Sequence, residues 1–159
     1  MRPIIRGVIL CLTALVAVPV FAQEQTSDTN MQILLDKVKA DKKLVVAANM
    51  ELNDADGKAF WPIYEAYQKD LETINDRLSK TILAYADAYN KRTLTDAQAK
   101  QFSDEALAID QDEIAMRKTY AGRLSRVLPG KKAARYLQVE NKIRAAIRYQ
   151  LAAGIPLVP

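Results

Sequence analysis

The strongest constraint on this chain is an unbroken run of apolar positions between Phe60 and Ala88. Nine residues recur there at alternating spacings of four and three: Phe60, Tyr64, Tyr67, Leu71, Ile74, Leu78, Thr81, Tyr85 and Ala88. That is the a/d spacing of a helix that packs along another helix. A helix from Asp54 to Asn90 would be about 55 Å long at ~1.5 Å per residue. The pattern therefore predicts an elongated helical hairpin or a dimer.

The rest of the chain also carries helical patterns, and no stretch alternates as a strand does. The predicted class is all-α, with four helices forming an elongated, kinked hairpin that pairs antiparallel with a second copy. Besides the long second helix, the expected helices are Met31–Met50, Asp96–Leu128 and about Lys131–Gly154. The inner face of the first helix is expected to carry Leu34, Val38, Val45 and Ala48.

Two residues conflict with these patterns. Pro62 lies past the first turn of the second helix, and we expect it to kink or interrupt that helix near Ala59. Glu113 falls on the apolar stripe of the third helix. If Glu113 is buried it needs a charged partner, and an exposed gap in the stripe is the open alternative.

The stretch from Leu52 to Phe60 recurs, in similar form, 42 residues later as Leu94 to Phe102. Each copy has the composition of a helix start, with a capping side chain followed three residues later by a group that can reach back to the cap. We expect one residue of each copy to accept a hydrogen bond from the first turn of its helix. The residues of this helix-capping motif are Leu52, Asn53, Asp56, Leu94, Thr95 and Gln98.

The first 22 residues have the pattern of a secretory signal peptide. Arg2 and Arg6 precede an apolar run from Val8 to Val18, and Ala22 supplies the small residue before a cleavage point. A retained membrane anchor is the open alternative, although the run is shorter than the roughly 20 residues that span a bilayer. We expect a periplasmic protein cleaved after Ala22, with a flexible tail (23–30), one helical domain (31–154) and an extended C-terminal tail (155–159).

Beyond Ala22 the chain contains neither cysteine nor histidine. Their absence excludes disulfides and removes the common ligands of zinc and copper and the usual general base. A hydrolase that uses carboxylates alone is left open, but no acidic pair lies in the apolar setting that raises a carboxyl pKa. The sequence predicts a protein that is not an enzyme and that uses no metal or cofactor.

Charge is unevenly divided along the chain that follows the signal segment. Residues 23–116 carry 11 basic and 18 acidic side chains, whereas residues 117–159 carry ten basic side chains and only Glu140 as an acid. Basic groups interleaved with apolar ones suit the capture of acidic proteins, and an ordinary solvated surface is the open alternative. The predicted partner-binding surface consists of Arg117, Tyr120, Arg123, Leu124, Arg126, Lys131, Lys132, Arg135, Tyr136, Arg144 and Arg148.

Leu94, Thr95 and Gln98 open a long helix in a chain that also has a signal segment and four expected helices. In these features the chain resembles the periplasmic LTxxQ-motif proteins, the Spy and CpxP group. The resemblance implies an elongated hairpin that dimerises antiparallel into a curved cradle and binds unfolded or stress-sensing partners without ATP. The first copy of the motif departs from the pattern at Asn53 and Asp56. The histidine-containing tails of zinc-binding relatives are missing, so metal sensing is not expected.

Three functions fit the sequence to different degrees. The leading hypothesis is an ATP-independent chaperone-like or envelope-stress accessory protein that binds unfolded or acidic clients and forms a homodimer. The alternative is a structural or regulatory module that binds an acidic sensor domain or an anionic membrane surface. Nucleic-acid binding by a basic helix is third, because export argues against it.

Overall fold

The computed structural model describes Ile33, Asp36 and residues 40–159. Helix α1 includes residues 40–50, and it is followed by α2 (Asp54–Asn90), α3 (Asp96–Val127) and α4 (Gly130–Gly154). No strand occurs in this part of the chain, so the predicted all-α class is confirmed. The signal segment and the 23–30 tail lie outside the described residues, as do Leu34 and Val38, and the dimer stays a prediction.

Helices α2 and α3 form an antiparallel hairpin. Tyr67 packs edge-to-face on Tyr120 with 5.2 Å between ring centroids, and Tyr85 packs on Phe102 at 5.8 Å nearer the connecting turn. Helix α4 then returns alongside, parallel to α2. Its Tyr136 lies 5.0 Å from the ring of Phe60 and 5.7 Å from that of Tyr67.

The apolar run of α2 is buried at both ends but only half-buried in the middle. Phe60, Tyr64 and Tyr67 are buried at the start of the helix, and Tyr85 and Ala88 are buried near its end. The four positions between them are only partly covered: Leu71, Ile74, Leu78 and Thr81. The sequence therefore predicted which side of α2 faces inward. It did not predict that this side is less buried in the middle of the helix than at its ends.

Helix α1 covers the first of these buried ends, on a stripe that matches the predicted one only in part, since Val45 is half-buried against the core. Val46 and Met50 are fully buried, whereas Ala48 is exposed. The buried residues are four apart, and Lys42 continues the same line one turn earlier. The prediction for Ala48 is wrong because its face points away from the aromatic cluster on α2 and α4.

Pro62 does not interrupt α2, which continues from Asp54 to Asn90. A proline in a helix interior removes one backbone hydrogen bond and costs about 3 kcal/mol. Other helices pack on both sides of this turn, since Phe60 contacts Tyr136 of α4 at 5.0 Å and the Lys43 ammonium of α1 lies 5.2 Å from the Trp61 ring centroid. An interruption near Ala59 is therefore wrong, whereas the alternative of a kink there stays a prediction.

Both predicted helix caps are present in the structure. The Asn53 Oδ1 accepts a hydrogen bond of 2.8 Å from the backbone N–H of Asp56. Thr95 forms a full capping box, in which its hydroxyl accepts from the Gln98 N–H at 3.3 Å and the Gln98 Oε1 accepts from the Thr95 N–H at 3.0 Å. Both copies thus begin their helix with a side-chain cap, but only the second has the reciprocal bond, because the Asp56 carboxylate pairs with Lys132.

Thr95→Ala should lower the free energy of unfolding by about 1 kcal/mol, because the first turn of α3 loses its side-chain acceptor. Urea unfolding followed by circular dichroism measures the change. Thr73→Ala is the matched control, since the Thr73 hydroxyl only donates to the Lys69 carbonyl on an exposed face of α2. Equal stability of the Thr95 variant and the parent would show that the capping box does not hold this helix start.

The C-terminal tail packs back on the hairpin at one point. The Tyr85 hydroxyl donates a 2.9 Å hydrogen bond to the carbonyl of Pro156. One residue later, Leu157 is 89% exposed. The tail is therefore anchored near the end of α2 while its last residues face solvent.

Candidate functional site

Three residues of the predicted partner-binding surface lie in the core. Tyr120, Leu124 and Tyr136 are each at most 1% exposed. They occupy the inner stripes of α3 and α4, where they meet the aromatic residues of α2. Their assignment to a binding surface is wrong, because side chains buried in the core between helices cannot contact a partner.

Four of the predicted basic contacts form ion pairs within the chain. Lys132 pairs with Asp56 at the start of α2, and Arg135 pairs with Glu51 at 2.9 Å. Arg144 and Arg148 pair with acids on α3. A fifth, Arg117, donates a weak hydrogen bond of 3.4 Å to the Asn141 side chain.

The acids that pair with Arg144 and Arg148 include Glu113, the residue that interrupts the apolar stripe of α3. Glu113 is only 4% exposed, and it forms ion pairs with Arg144 and, at 3.1 Å, with Arg148. Asp110, one turn earlier, pairs with the same two guanidinium groups. We call these four residues the buried ion cluster after Glu113, its one buried member, since the other three are half-buried. Two charges of each sign lie together here, which meets the requirement that a buried Glu113 has a charged partner.

A second polar group lies further along the same side of the molecule. Glu140 is 3% exposed; one of its carboxylate oxygens accepts from the Lys42 ammonium and the other from the Gln68 amide, both at 2.9 Å. The Gln68 Oε1 accepts from Lys42 at 2.8 Å, and its amide nitrogen lies 3.4 Å from the Tyr136 hydroxyl. These four residues are the Gln68 network. Burial, and then the charge of Glu140, raise the pKa of Tyr136, so its hydroxyl stays protonated.

A cavity of about 600 Å³ separates the buried ion cluster from the Gln68 network. Its described lining includes Leu71 and Leu78 from the half-buried part of α2 and Ile143 and Ile147 from α4. Every buried carboxylate that lines it has a cationic partner. Because these partners neutralise Glu113 and Glu140, we assign the two polar groups beside the cavity a structural role.

The ion pairs between α4 and the other helices explain the uneven charge distribution within a single chain. The basic half of the sequence folds against the acidic half of the same chain, through Lys132–Asp56, Arg135–Glu51 and the buried ion cluster. Opposite charges in the two halves therefore do not require a second copy to neutralise them. A dimer needs a separate physical argument.

Three of the predicted basic contacts remain exposed and have no acidic partner within residues 40–159. They are Arg123, Arg126 and Lys131, at the corner where α3 ends and α4 begins. The Arg123 guanidinium lies 4.6 Å from the ring centroid of Tyr120. Val127, which lies between Arg126 and Lys131 in sequence, is 41% exposed. We call these four residues the corner patch.

Sequence reasoning missed Lys42, Gln68 and Glu140 as members of one group. One signal was present, because Glu140 lies four residues after Tyr136 and three before Ile143, on the apolar face of α4. An acid at that spacing is expected to point inward and to need a partner. The partner itself comes from α1, which lies 98 residues earlier in the chain.

No helix in the described part of the chain is long and apolar enough to cross a membrane. Within the same residues, no cluster of three or more acidic, histidine or cysteine side chains could hold a metal ion. No protein-family model, curated protein or solved structure matches the chain, so the resemblance to the LTxxQ-motif proteins stays a prediction that depends on its own motif residues.

Proposed function

We propose that this chain is an exported, ATP-independent chaperone-like or envelope-stress accessory protein that binds unfolded or acidic proteins. The observation that carries the proposal is the corner patch, where three exposed cations without an acidic partner in the described chain lie close in sequence to the exposed Val127. Long-range attraction by such cations speeds the capture of acidic clients, and apolar contact then holds them.

The remaining exposed apolar side chains support a surface that binds segments without a fixed shape. Large apolar residues are exposed on every helix and on the tail, with Leu44, Leu83, Leu107, Tyr149 and Leu157 among them. Single exposed apolar residues are normal on a protein surface. These exposed apolar residues are spread along a hairpin about 55 Å long at ~1.5 Å per residue. One extended client can therefore contact several of them.

The protein purified from the periplasm of an expressing bacterium should suppress the aggregation of reduced α-lactalbumin, a small acidic protein, without added nucleotide. Light scattering measures the effect, and mass spectrometry of the same sample should give Gln23 as the first residue. Raising the salt concentration should weaken suppression without abolishing it, because salt screens the cations but not the apolar contacts. Unchanged scattering at equimolar protein would contradict the proposal.

The triple variant Arg123→Gln, Arg126→Gln, Lys131→Gln should raise the concentration needed for half-maximal suppression roughly tenfold, since three exposed charges at about 0.5 kcal/mol each give that factor. Lys58→Gln, Lys69→Gln, Lys80→Gln is the matched control, because it removes three exposed cations from α2. Equal loss in the two variants would show that net charge, and not the corner patch, attracts the client.

A further inference from the structure

Helix α1 lies in a groove that α2 and α4 form by their own contacts. Tyr136 of α4 packs edge-to-face on Phe60 and Tyr64 of α2, with 5.0 and 6.2 Å between ring centroids. The acids Glu65 and Glu140 flank these rings, and each pairs with a lysine of α1. We call these five residues the aromatic groove. The ring contacts join α2 directly to α4, so the floor of the groove does not need α1 to hold it together.

Helix α1 occupies the aromatic groove through few residues. Val46 and Met50 are the two buried residues of its described turns 40–50, and they belong to the same buried cluster as the groove rings. One turn before Val46, the Lys42 ammonium pairs with Glu140 at 2.9 Å. The occupant is thus an amphipathic helix with two apolar side chains four residues apart and a base before them. Many proteins bind segments of other proteins by this helix-in-groove mode.

The connection from α1 to α2 is short and strained. Residues 51–53 belong to no helix, and Glu51 has a φ of 49°, in the left-handed region that residues other than glycine rarely adopt. The Glu51 carboxylate pairs with Arg135 of α4 at 2.9 Å, although both side chains are exposed. Strain of this kind persists only where surrounding contacts impose it, and it is frequent in segments that switch conformation. Release of α1 from the groove would let Glu51 relax.

We propose that the aromatic groove is a binding site for a basic amphipathic helix of another protein, and that α1 occupies it as an internal substitute for that helix. The partner helix presents two large apolar side chains one turn apart and a lysine or arginine one turn before the first. Its apolar pair takes the places of Val46 and Met50. Its base takes the place of Lys42 beside Glu140, so that an acidic helix is rejected by like charge.

The aromatic groove and the corner patch share no residue and select opposite charges. The corner patch presents cations to acidic segments, whereas the aromatic groove presents Glu140 to a base. The proposal therefore goes beyond the proposed function and does not depend on it. Direct binding of a helical peptide tests the groove, and suppression of α-lactalbumin aggregation tests the corner patch, so failure of one is distinguishable from failure of the other.

A fluorescein-labelled peptide with the sequence of residues 40–50 is the probe, with fluorescence anisotropy of the full chain as the readout. In the parent the peptide competes with α1. Val46→Asp with Met50→Asp releases α1 and leaves the groove residues unchanged. These two changes should tighten peptide binding roughly tenfold or more, because apparent affinity follows the fraction of sites that are open. A peptide that carries the same two substitutions is the matched control and should not bind.

Two results with the released variant would overturn the proposal. One is a folded variant that binds the peptide no better than the parent does. The other is loss of most of its helical circular dichroism, because α1 would then be an essential part of the core and not the occupant of a groove.

A reversible cross-link makes the same test with the apolar residues of α1 intact. In a Cys11→Ser background, Lys43→Cys and Glu65→Cys replace an ion pair that joins α1 to α2. A short bis-methanethiosulfonate linker between them should lower peptide binding roughly tenfold, and a reducing agent should restore it. Asp87→Cys with Lys91→Cys is the control, because that pair lies at the other end of α2. Unchanged binding with α1 linked would overturn the proposal.

The base of the partner helix is tested in the peptide. A peptide with Lys42→Gln should bind the released variant roughly tenfold more weakly than the original peptide, because Glu140 then lacks a cation. A peptide with Lys43→Gln is the matched control, and it should lose little affinity because its partner Glu65 is exposed. Equal affinity of all three peptides would overturn the selection of a basic helix.

Discussion

Replacing Glu113 by alanine should lower the free energy of unfolding by about 3 kcal/mol, because the substitution leaves two partly buried guanidinium groups without their shared carboxylate. Arg144 and Arg148 would keep only Asp110, which is the more exposed of the two acids. Urea unfolding at neutral pH measures the loss. A smaller change is expected if water enters the adjoining cavity and solvates the two arginines.

The matched control is Glu105→Ala, which breaks an ion pair of the same type on the surface. Glu105 pairs with Arg77, and both side chains are more than a third exposed. Exposed pairs contribute about 1 kcal/mol at most. If the two variants lose the same stability, burial does not strengthen the cluster around Glu113.

A further variant separates the cost of breaking the cluster from its net contribution. Glu113→Leu combined with Arg144→Leu and Arg148→Met removes all three charges and replaces them with apolar groups. Buried ion pairs replaced in this way are often neutral or stabilising by about 1–4 kcal/mol. We therefore expect the triple variant to be more stable than Glu113→Ala, and an equally unstable triple variant would contradict this account.

Phe60→Ala should cost about 4 kcal/mol, the other large effect expected in this chain. Phe60 is fully buried where α1, α2 and α4 meet, and its ring packs edge-to-face on Trp61 and Tyr136. Domains of this size are stabilised by roughly 5–15 kcal/mol in total, so this variant should melt many degrees lower than the parent. Calorimetry gives the shift.

The control for Phe60 is Leu83→Ala, at a position on α2 that is 66% exposed. Surface substitutions of this type change stability by about 0.5 kcal/mol or less. Similar melting temperatures for the two variants would mean that the aromatic cluster is not the centre of the core.

Features set by neighbours in sequence could be predicted, and features set by distant partners could not. The caps at Asn53 and Thr95 depend on groups three residues away, so the sequence was sufficient to place them. The orientation of a cation depends on which helix lies next to it. Arg126 and Arg144 both lie among apolar and basic residues of a helix, yet only Arg144 meets an acid of another helix. Spacing along one helix does not contain that information.

The inward-facing side of α2 was predicted because it follows from residue spacing within one helix. The half-buried centre of that side was missed because burial there depends on residues of other helices. A run of apolar residues shows which side of α2 faces inward. Whether Leu71 and Leu78 are covered depends on side chains of other helices, and the ring contacts between α2 and Tyr136 of α4 involve only residues near the start of α2, such as Phe60 and Tyr67.

The buried ion cluster and the Gln68 network restrict how α4 can slide along the other helices. An apolar seam of tyrosine and leucine tolerates a shift of one helical turn, about 5.4 Å, because the side chains that replace one another are similar. Such a shift of α4 would separate Arg144 from Glu113 and Glu140 from Lys42 and Gln68 at once. Buried polar residues fix register in other helical assemblies. Here they make the observed register of α4 far more favourable than registers shifted by one turn.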